Sequence, residues 1–214
     1  MILLIGGEKG GTGKSSLATN LAVWLAQEGK QTLLLDADLQ ATSYRWVGRR
    51  NQRSDNLPTV KCAQVSGDVY KVARGYAEQH EQVIIDAGGR DSKEFRTGLV
   101  AADLALFPVQ ASQADLETMD HVSDLVGQAR KLNPQLMGFA VIFRAPTNPL
   151  VTDVRNAQEF LQGFHEFGLA DTYIRERKIF RDAMLEGRGV VEMRNAQARA
   201  EIQLLAQEIY GSTS

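Results

Sequence analysis

An α/β fold, a mostly parallel twisted sheet with helices on both faces, is predicted from three features of this 214-residue sequence. Short apolar runs recur along the chain, each followed by a turn and then a helical pattern. A glycine-rich stretch stands directly after the first run and opens the first helix, where a βα turn belongs. The composition, 43% hydrophobic and 23% charged, is that of a globular chain rather than a disordered, fibrous or disulfide-stapled one.

The strand-like runs are Ile2–Ile5, Thr32–Leu35, Val83–Ile85, Leu104–Val109 and Gly138–Phe143. Such alternation with helices gives a parallel sheet buried on both sides. Between the first two runs, Leu17, Leu21, Trp24 and Leu25 fall at helical spacing, and Gly29 stands where a helix ends. Asn133-Pro134 and the stretch from Ala145 to Pro149 punctuate the later half without making an interdomain linker. Beyond residue 150 the pattern is mainly helical, with candidates near 150–166, 179–187 and 194–210 that should pack around the sheet. The length suits one well-buried core, so residues 1–214 are read as a single domain.

A formal net charge of −2 gives no global pull toward nucleic acid or anionic lipid, so any such binding must come from a local basic patch. The single cysteine, Cys62, has no second thiol for an internal disulfide or a CxxC site and is expected in a buried strand. His80, His121 and His165 lack metal-ligand spacing and are expected on surfaces or helix faces. Trp24 and Trp46 fit apolar helix faces better than stacking platforms. The start of the sequence has no basic leader with a long apolar stretch, so the cytoplasm is the expected compartment.

The chemistry concentrates in Lys9-Gly10-Gly11-Thr12-Gly13-Lys14-Ser15. Gly10, Gly11 and Gly13 let backbone N–H groups approach phosphate oxygens, while the helix beginning near Lys14 directs its dipole at the anion. Lys14 supplies a point charge for the β and γ phosphates, Ser15 a hydroxyl for Mg²⁺, and Ser16 a donor for the α phosphate. Strand, loop, Gly-Lys-Ser and helix together predict a P-loop NTPase domain binding ATP and Mg²⁺. The strict pattern would need glycine at position 8, where this chain has Glu8.

The variant loop, with Lys9 ahead of the glycines, resembles the deviant Walker A family that contains ParA and MinD. Its K-G-G-x-G-K-[ST] mark is complete here. In that family the extra lysine reaches the partner's ATP in a sandwich dimer, which implies an ATP-state homodimer with Lys9 as an intersubunit, catalytic residue. Asp36-Ala37-Asp38-Leu39-Gln40 resembles the family's D-x-D-P-Q element with leucine replacing proline. The resemblance implies that Asp38 orients the attacking water and that Asp36 supports the hydrated metal. Val83-Ile84-Ile85-Asp86 is an apolar strand ending in a carboxylate, the Walker B arrangement in which Asp86 holds Mg²⁺ through water. Gly88 and Gly89, just beyond it, look like the second switch that senses the γ phosphate. Phe107-Pro108-Val109 with Ser112 and Asp115 resembles the family's next segment, Asp115 being expected to cap a helix. Nucleobase contacts are implied for the loop holding Arg144 and Pro146.

Over the whole chain the resemblance is greatest to small ParA-type partition ATPases such as ParF. With the phosphate loop within ten residues of the first, no operator-binding winged helix is expected. The last helical segment, Glu201 to Tyr210, has acids and no lysine or arginine, which disfavours MinD-like membrane anchoring. A lone Cys62 excludes the iron-protein branch. What remains is a dimerising partition ATPase that binds DNA non-specifically in its ATP state, associates with the nucleoid then, and responds to a ParB-type centromere-binding adaptor. Alternatives are positioning of another large cargo, recruitment of DNA to a transfer apparatus, or an ATP-dependent metabolic ligase, which has no evident use for Lys9. Non-specific DNA contact is expected from Arg175, Arg177, Lys178 and Arg181, in a region where basic and acidic residues intersperse.

Overall fold

The computed structural model describes residues 1–148 and 152–211. The five foreseen runs become β1 (Ile2–Gly7), β2 (Thr32–Ala37), β4 (Gln82–Gly89), β5 (Leu104–Val109) and β6 (Met137–Ala145). Around Cys62 lies β3 (Lys61–Gln64), and two short strands, β7 (Gly168–Leu169) and β8 (Ile174–Arg175), follow. The helices of the first half are α1 (Lys14–Gln27), α2 (Thr42–Asn51), α3 (Val69–Ala77) and α4 (Lys93–Ala101). Those of the second half are α5 (Gln113–Leu116), α6 (Met119–Arg130), α7 (Asp153–Leu161), α8 (Lys178–Glu186) and α9 (Ala196–Gly211), with a 3₁₀ turn at Val190–Glu192. The helix expected near 150–166 is shorter than its pattern suggested, and its first two positions, like Pro149, lie outside the described residues.

The strands form one sheet in the order β3-β2-β4-β1-β5-β6-β7, with β8 paired to the end of β6. Every pairing among the described residues is parallel. From β1 the chain winds outward through β2 to β3, returns to insert β4 beside β1, and then runs the other way through β5 and β6. The reversal opens a crevice at the carboxyl ends of the central strands, the usual ligand position in such sheets.

Period-two alternation divides β1 between two cores: Ile2 and Leu4 join one cluster, and Leu3 and Ile5 the other. The first is covered by α3 to α7 and includes Phe95, Phe107 and Leu161. The second is covered by α1, α2, α8 and α9 and includes Leu17, Trp46, Phe180 and Ile202. This is a single α/β domain. At the end of α1, Lys30 N–H bonds Leu25 O (3.0 Å) and Gly29 N–H bonds Ala26 O (3.2 Å), the double closure expected past Gly29.

Cys62 is in a strand, as expected, but on the sheet edge and only partly buried, because β3 has a neighbour on one side alone. Burial, with Asp36 nearby, pushes its thiol up to about 12, so it is an unreactive protonated thiol at neutral pH. Trp46 is fully buried, whereas Trp24 is partly exposed and stacks on Tyr210 with ring centroids 5.9 Å apart. His121 lies on α6, 3.3 Å from Asp91, and His80 bonds Tyr76 O just past α3. Helix α2 is anchored at its far end by the buried guanidinium of Arg50, which donates to both carboxylate oxygens of Glu192 (2.7 and 2.9 Å) and to the carbonyls of Pro58 and Gly187.

Candidate functional site

The loop between β1 and α1 lies at the crevice. Gly13 caps α1 with φ 105°, and a Cβ there would come within 2.3 Å of the Phe143 ring, so both backbone and space demand glycine. Lys14 opens α1 with its side chain buried, and its Nζ donates to Lys9 O at 2.6 Å. Burial lowers the Lys14 pKa, and Asp86, Asp38 and Asp115 pull it back up, so the ammonium is held among carboxylates.

Adjacent strands bring the acids together. Asp36 on β2 is in register with Asp86 on β4, which is in turn in register with Ile5 on β1. Both carboxylates are buried. Asp36 accepts N–H bonds from Tyr44 (2.8 Å) and Asp38 (3.1 Å), which partly offset the upward push of burial on its pKa. Asp86 is pushed up to about 7 by complete burial, against the pull of the Ser43 and Ser15 hydroxyls. Asp38 sits just past β2, partly exposed, and accepts from Gln40 N–H (2.9 Å). It faces Gly88, where a Cβ would lie 3.3 Å from the Asp38 carboxyl carbon. Gly89 presses on the phosphate loop itself: a Cβ there would lie 2.7 Å from Lys9 O and 2.8 Å from both Gly10 N and Lys14 Nζ. A cleft of about 430 Å³ opens between Gly10, Asp38, Gly88 and Gly89.

Among the described residues, four buried side-chain oxygens around this loop lack a hydrogen-bond partner of proper geometry: Thr12 Oγ1, Ser16 Oγ, Asp86 Oδ1 and Asp115 Oδ1, the last ion-paired with Lys9. Buried polar atoms without partners are costly, and these are groups that an oxyanion and its cation would satisfy. Among the described residues no group of three or more metal-ligating side chains is placed to hold a cation alone. Mg²⁺ is commonly bound through one or two carboxylates with water and phosphate completing its shell. Ser15, Asp36 and Asp86 are the side chains that would hold it.

Asp115 departs from expectation. The N-cap residue of α5 is Ser112; Asp115 lies inside that short helix, buried, with its carboxylate paired to Lys9 of the same chain. It therefore does not cap a helix, and the signature lysine is folded onto its own protomer.

Beside the loop, on the Ser16 side, a largely apolar cleft of about 440 Å³ is lined by Gly13, Ser16, Phe143, Arg144, Glu176, Phe180 and Met184, among others. Arg144, at φ 63°, ion-pairs with Glu176 and donates to Gly11 O (3.0 Å). Pro146 is not among the lining residues. Glu176, Ser43 and the Lys9 partner Asp115 were not singled out as site residues from sequence, since each lies far along the chain from the group it meets.

The four basic residues singled out in the C-terminal third divide into pairs. Arg175 and Arg177 both bond Glu201 of α9 (3.0 and 2.6 Å), and Arg175 also covers the Tyr173 ring. Lys178 and Arg181 on α8 have side chains 80% and 66% exposed, with Asp182 3.1 Å and Glu176 3.9 Å away.

Residues 3–190 match the CobQ/CobB/MinD/ParA nucleotide binding domain. The chain is 27% identical over 213 residues to "Maintenance of carboxysome distribution protein A" of Halothiobacillus neapolitanus, covering 98% of this chain and 96% of that one. A putative plasmid partition protein of Borrelia burgdorferi bound to AMPPNP superposes with a TM-score of 0.75 at 20% identity, covering 99% of this chain and 98% of that one. The septum site-determining protein MinD of Pyrococcus horikoshii complexed with Mg-ADP gives 0.75 at 18% identity, covering 100% and 97%. No helix among the described residues is long and apolar enough to cross a membrane.

Proposed function

The chain belongs to the CobQ/CobB/MinD/ParA nucleotide-binding family, and from that premise we propose that it is an ATP-dependent dimerising switch ATPase of the ParA type, partitioning plasmid DNA or other DNA. The observation that supports this reading is the position of Lys9: a half-exposed ammonium paired with Asp115, next to the buried Lys14, whose Nζ donates to Lys9 O. One lysine for the resident phosphates and one at the surface suits two phosphate loops facing each other. A metabolic ligase has no use for the second.

In this reading Gly10, Gly11, Thr12 and Gly13 would offer backbone N–H groups to the phosphates, and Lys14 would supply the point charge for the β and γ phosphates. Thr12 and Ser16 hydroxyls find acceptors there. Ser15, Asp36 and Asp86 hold the hydrated cation, and bound magnesium supplies charge neutralisation across the phosphates. Asp38 orients the attacking water from the rim, and Gly88 and Gly89 report the γ phosphate through their backbone. Arg144 and the apolar cleft beside Ser16 take the nucleobase. The ATP dimer binds DNA without sequence preference, associates with the nucleoid, and is returned to monomers when a ParB-type adaptor stimulates hydrolysis.

A second reading, positioning of a large protein cargo, is favoured by the likeness, over nearly the whole of both chains, to a carboxysome distribution protein. Both readings share the switch and differ only in cargo. The experiment is ATP turnover measured with and without duplex DNA and with the product of the neighbouring gene. Slow turnover raised by the two together supports the partition reading, turnover raised by the adaptor whatever DNA is present favours another matrix, and no turnover under any condition removes the switch.

A further inference from the structure

Helix α2 follows directly on the segment holding Asp36 and Asp38, and its first turn touches two metal-site carboxylates. The Tyr44 N–H donates to Asp36 Oδ2 at 2.8 Å, and the Ser43 hydroxyl donates to Asp86 Oδ2 at 2.6 Å. Ser43 is fully buried, and its 2.6 Å contact is at the short end of the range for a hydroxyl donor. With Oδ2 held by Ser43, Oδ1 has no hydrogen-bond partner of good geometry among the described residues, the Ser15 hydroxyl being the group near the carboxylate. The bond thus selects which lone pairs of Asp86 remain for a cation and its waters. The far end of the same helix is fixed by Arg50 on Glu192, so Ser43 does not depend on a mobile support.

We infer that Ser43 is a positioning residue for magnesium: it orients the Asp86 carboxylate and ties the first turn of α2 to the state of the metal site. The inference rests on the nucleotide-switch reading above. Partners that orient a metal-binding group from behind commonly alter metal affinity by 10- to 100-fold when removed, and a contact made through water belongs at the lower end.

The test measures the affinity for a fluorescent ATP analogue across a magnesium titration, in parent, Ser43→Ala, Asp86→Asn and the double variant, beside the melting temperature without nucleotide. Ser43→Ala is expected to raise the half-saturating magnesium concentration about tenfold while leaving the affinity in EDTA unchanged. In the Asp86→Asn background the serine substitution should add nothing. Ser43→Cys, of similar size and a poor donor, should copy the alanine and serves if the alanine variant does not fold. An unchanged magnesium dependence in Ser43→Ala or Ser43→Cys overturns the inference, as does an equal shift in the Asp86→Asn background. A parent that binds the analogue without any magnesium dependence overturns the functional reading along with it, so the two failures are distinguishable.

Discussion

Lys9 and Asp115 form an ion pair within one chain, the lysine half-exposed and the aspartate buried. The pair bridges the phosphate loop and α5, segments more than a hundred residues apart. A lysine engaged in this way must leave its partner before it can reach a second protomer, and a carboxylate so buried is costly to leave alone.

Lys9→Ala should therefore lower the melting temperature of the nucleotide-free protein, an uncompensated buried carboxylate costing about 1–3 kcal/mol. Asp115→Asn should largely restore it in the double variant. With a non-hydrolysable ATP analogue, sedimentation should show the parent and Asp115→Asn as dimers and Lys9→Ala as a monomer. Dimerisation of Lys9→Ala at the parental concentration would remove the intersubunit role.

Binding and turnover should separate. Lys14→Gln removes the buried ammonium of the loop and should abolish nucleotide binding, whereas Asp38→Ala, partly exposed, should bind normally and lose hydrolysis. Equilibrium binding of a fluorescent nucleotide and phosphate release check the two limbs, and a Lys14→Gln protein with parental turnover contradicts the assignment. Gly89→Ala should resemble Lys14→Gln, since its Cβ would stand 2.8 Å from Lys14 Nζ and closer still to Lys9 O.

Much of the candidate site was legible because it is local. Strand, glycine loop, Lys14 and helix are consecutive, and Asp36 and Asp86 each end an apolar run, which puts both at the carboxyl edge of a parallel sheet, while the pairing of β2 with β4 makes them neighbours. What sequence did not give was partnership across the chain. Asp115 read as a helix cap because an aspartate beside a short helix usually is one, and only the fold brings it to Lys9. Ser43 carries no signal as a lone serine at the start of a helix. Likewise nothing in the sequence pairs Arg175 and Arg177 with Glu201, which α9 brings within reach of both.

The pH dependence of stability should expose Asp86. Its pKa is raised from 3.8 to about 7 in the fold, so between those values the native state binds more protons than the unfolded one. Its contribution to stability is full below pH 4, declines as pH rises, and is gone above pH 7. Asp86→Asn cannot ionise and should be more stable than the parent at pH 8, by on the order of 4 kcal/mol, and nearly equal near pH 4. Melting curves in EDTA from pH 4 to 8.5 check this. A difference that does not grow with pH would mean that Asp86 is not ionising in the buried state.

The DNA surface can be dissected because its four candidate cations are held so differently. Arg175 and Arg177 satisfy the nearly buried carboxylate of Glu201, so replacing either should cost stability first, and any loss of DNA binding in those variants would be ambiguous. Lys178 and Arg181 are exposed on α8, paired only with surface acids, and such pairs contribute little to folding. The double variant Lys178→Ala with Arg181→Ala should therefore melt with the parent, and because Arg181 also lines the cleft proposed for the nucleobase, its nucleotide affinity is measured beside its DNA binding. If these two residues touch phosphates in the ATP dimer, four contacts disappear at once, and the slope of log affinity against log salt should fall by up to about 3.6. Affinity near physiological salt should drop at least tenfold on every duplex tested, whatever its sequence, because phosphate contacts carry no base information. Anisotropy titrations with unrelated duplexes at several salt concentrations, with ATP analogue and with ADP, give both quantities. An unchanged slope and affinity would place the contact surface elsewhere on the dimer, and a parent with no ATP-dependent binding to any duplex would shift the cargo reading to a matrix other than DNA.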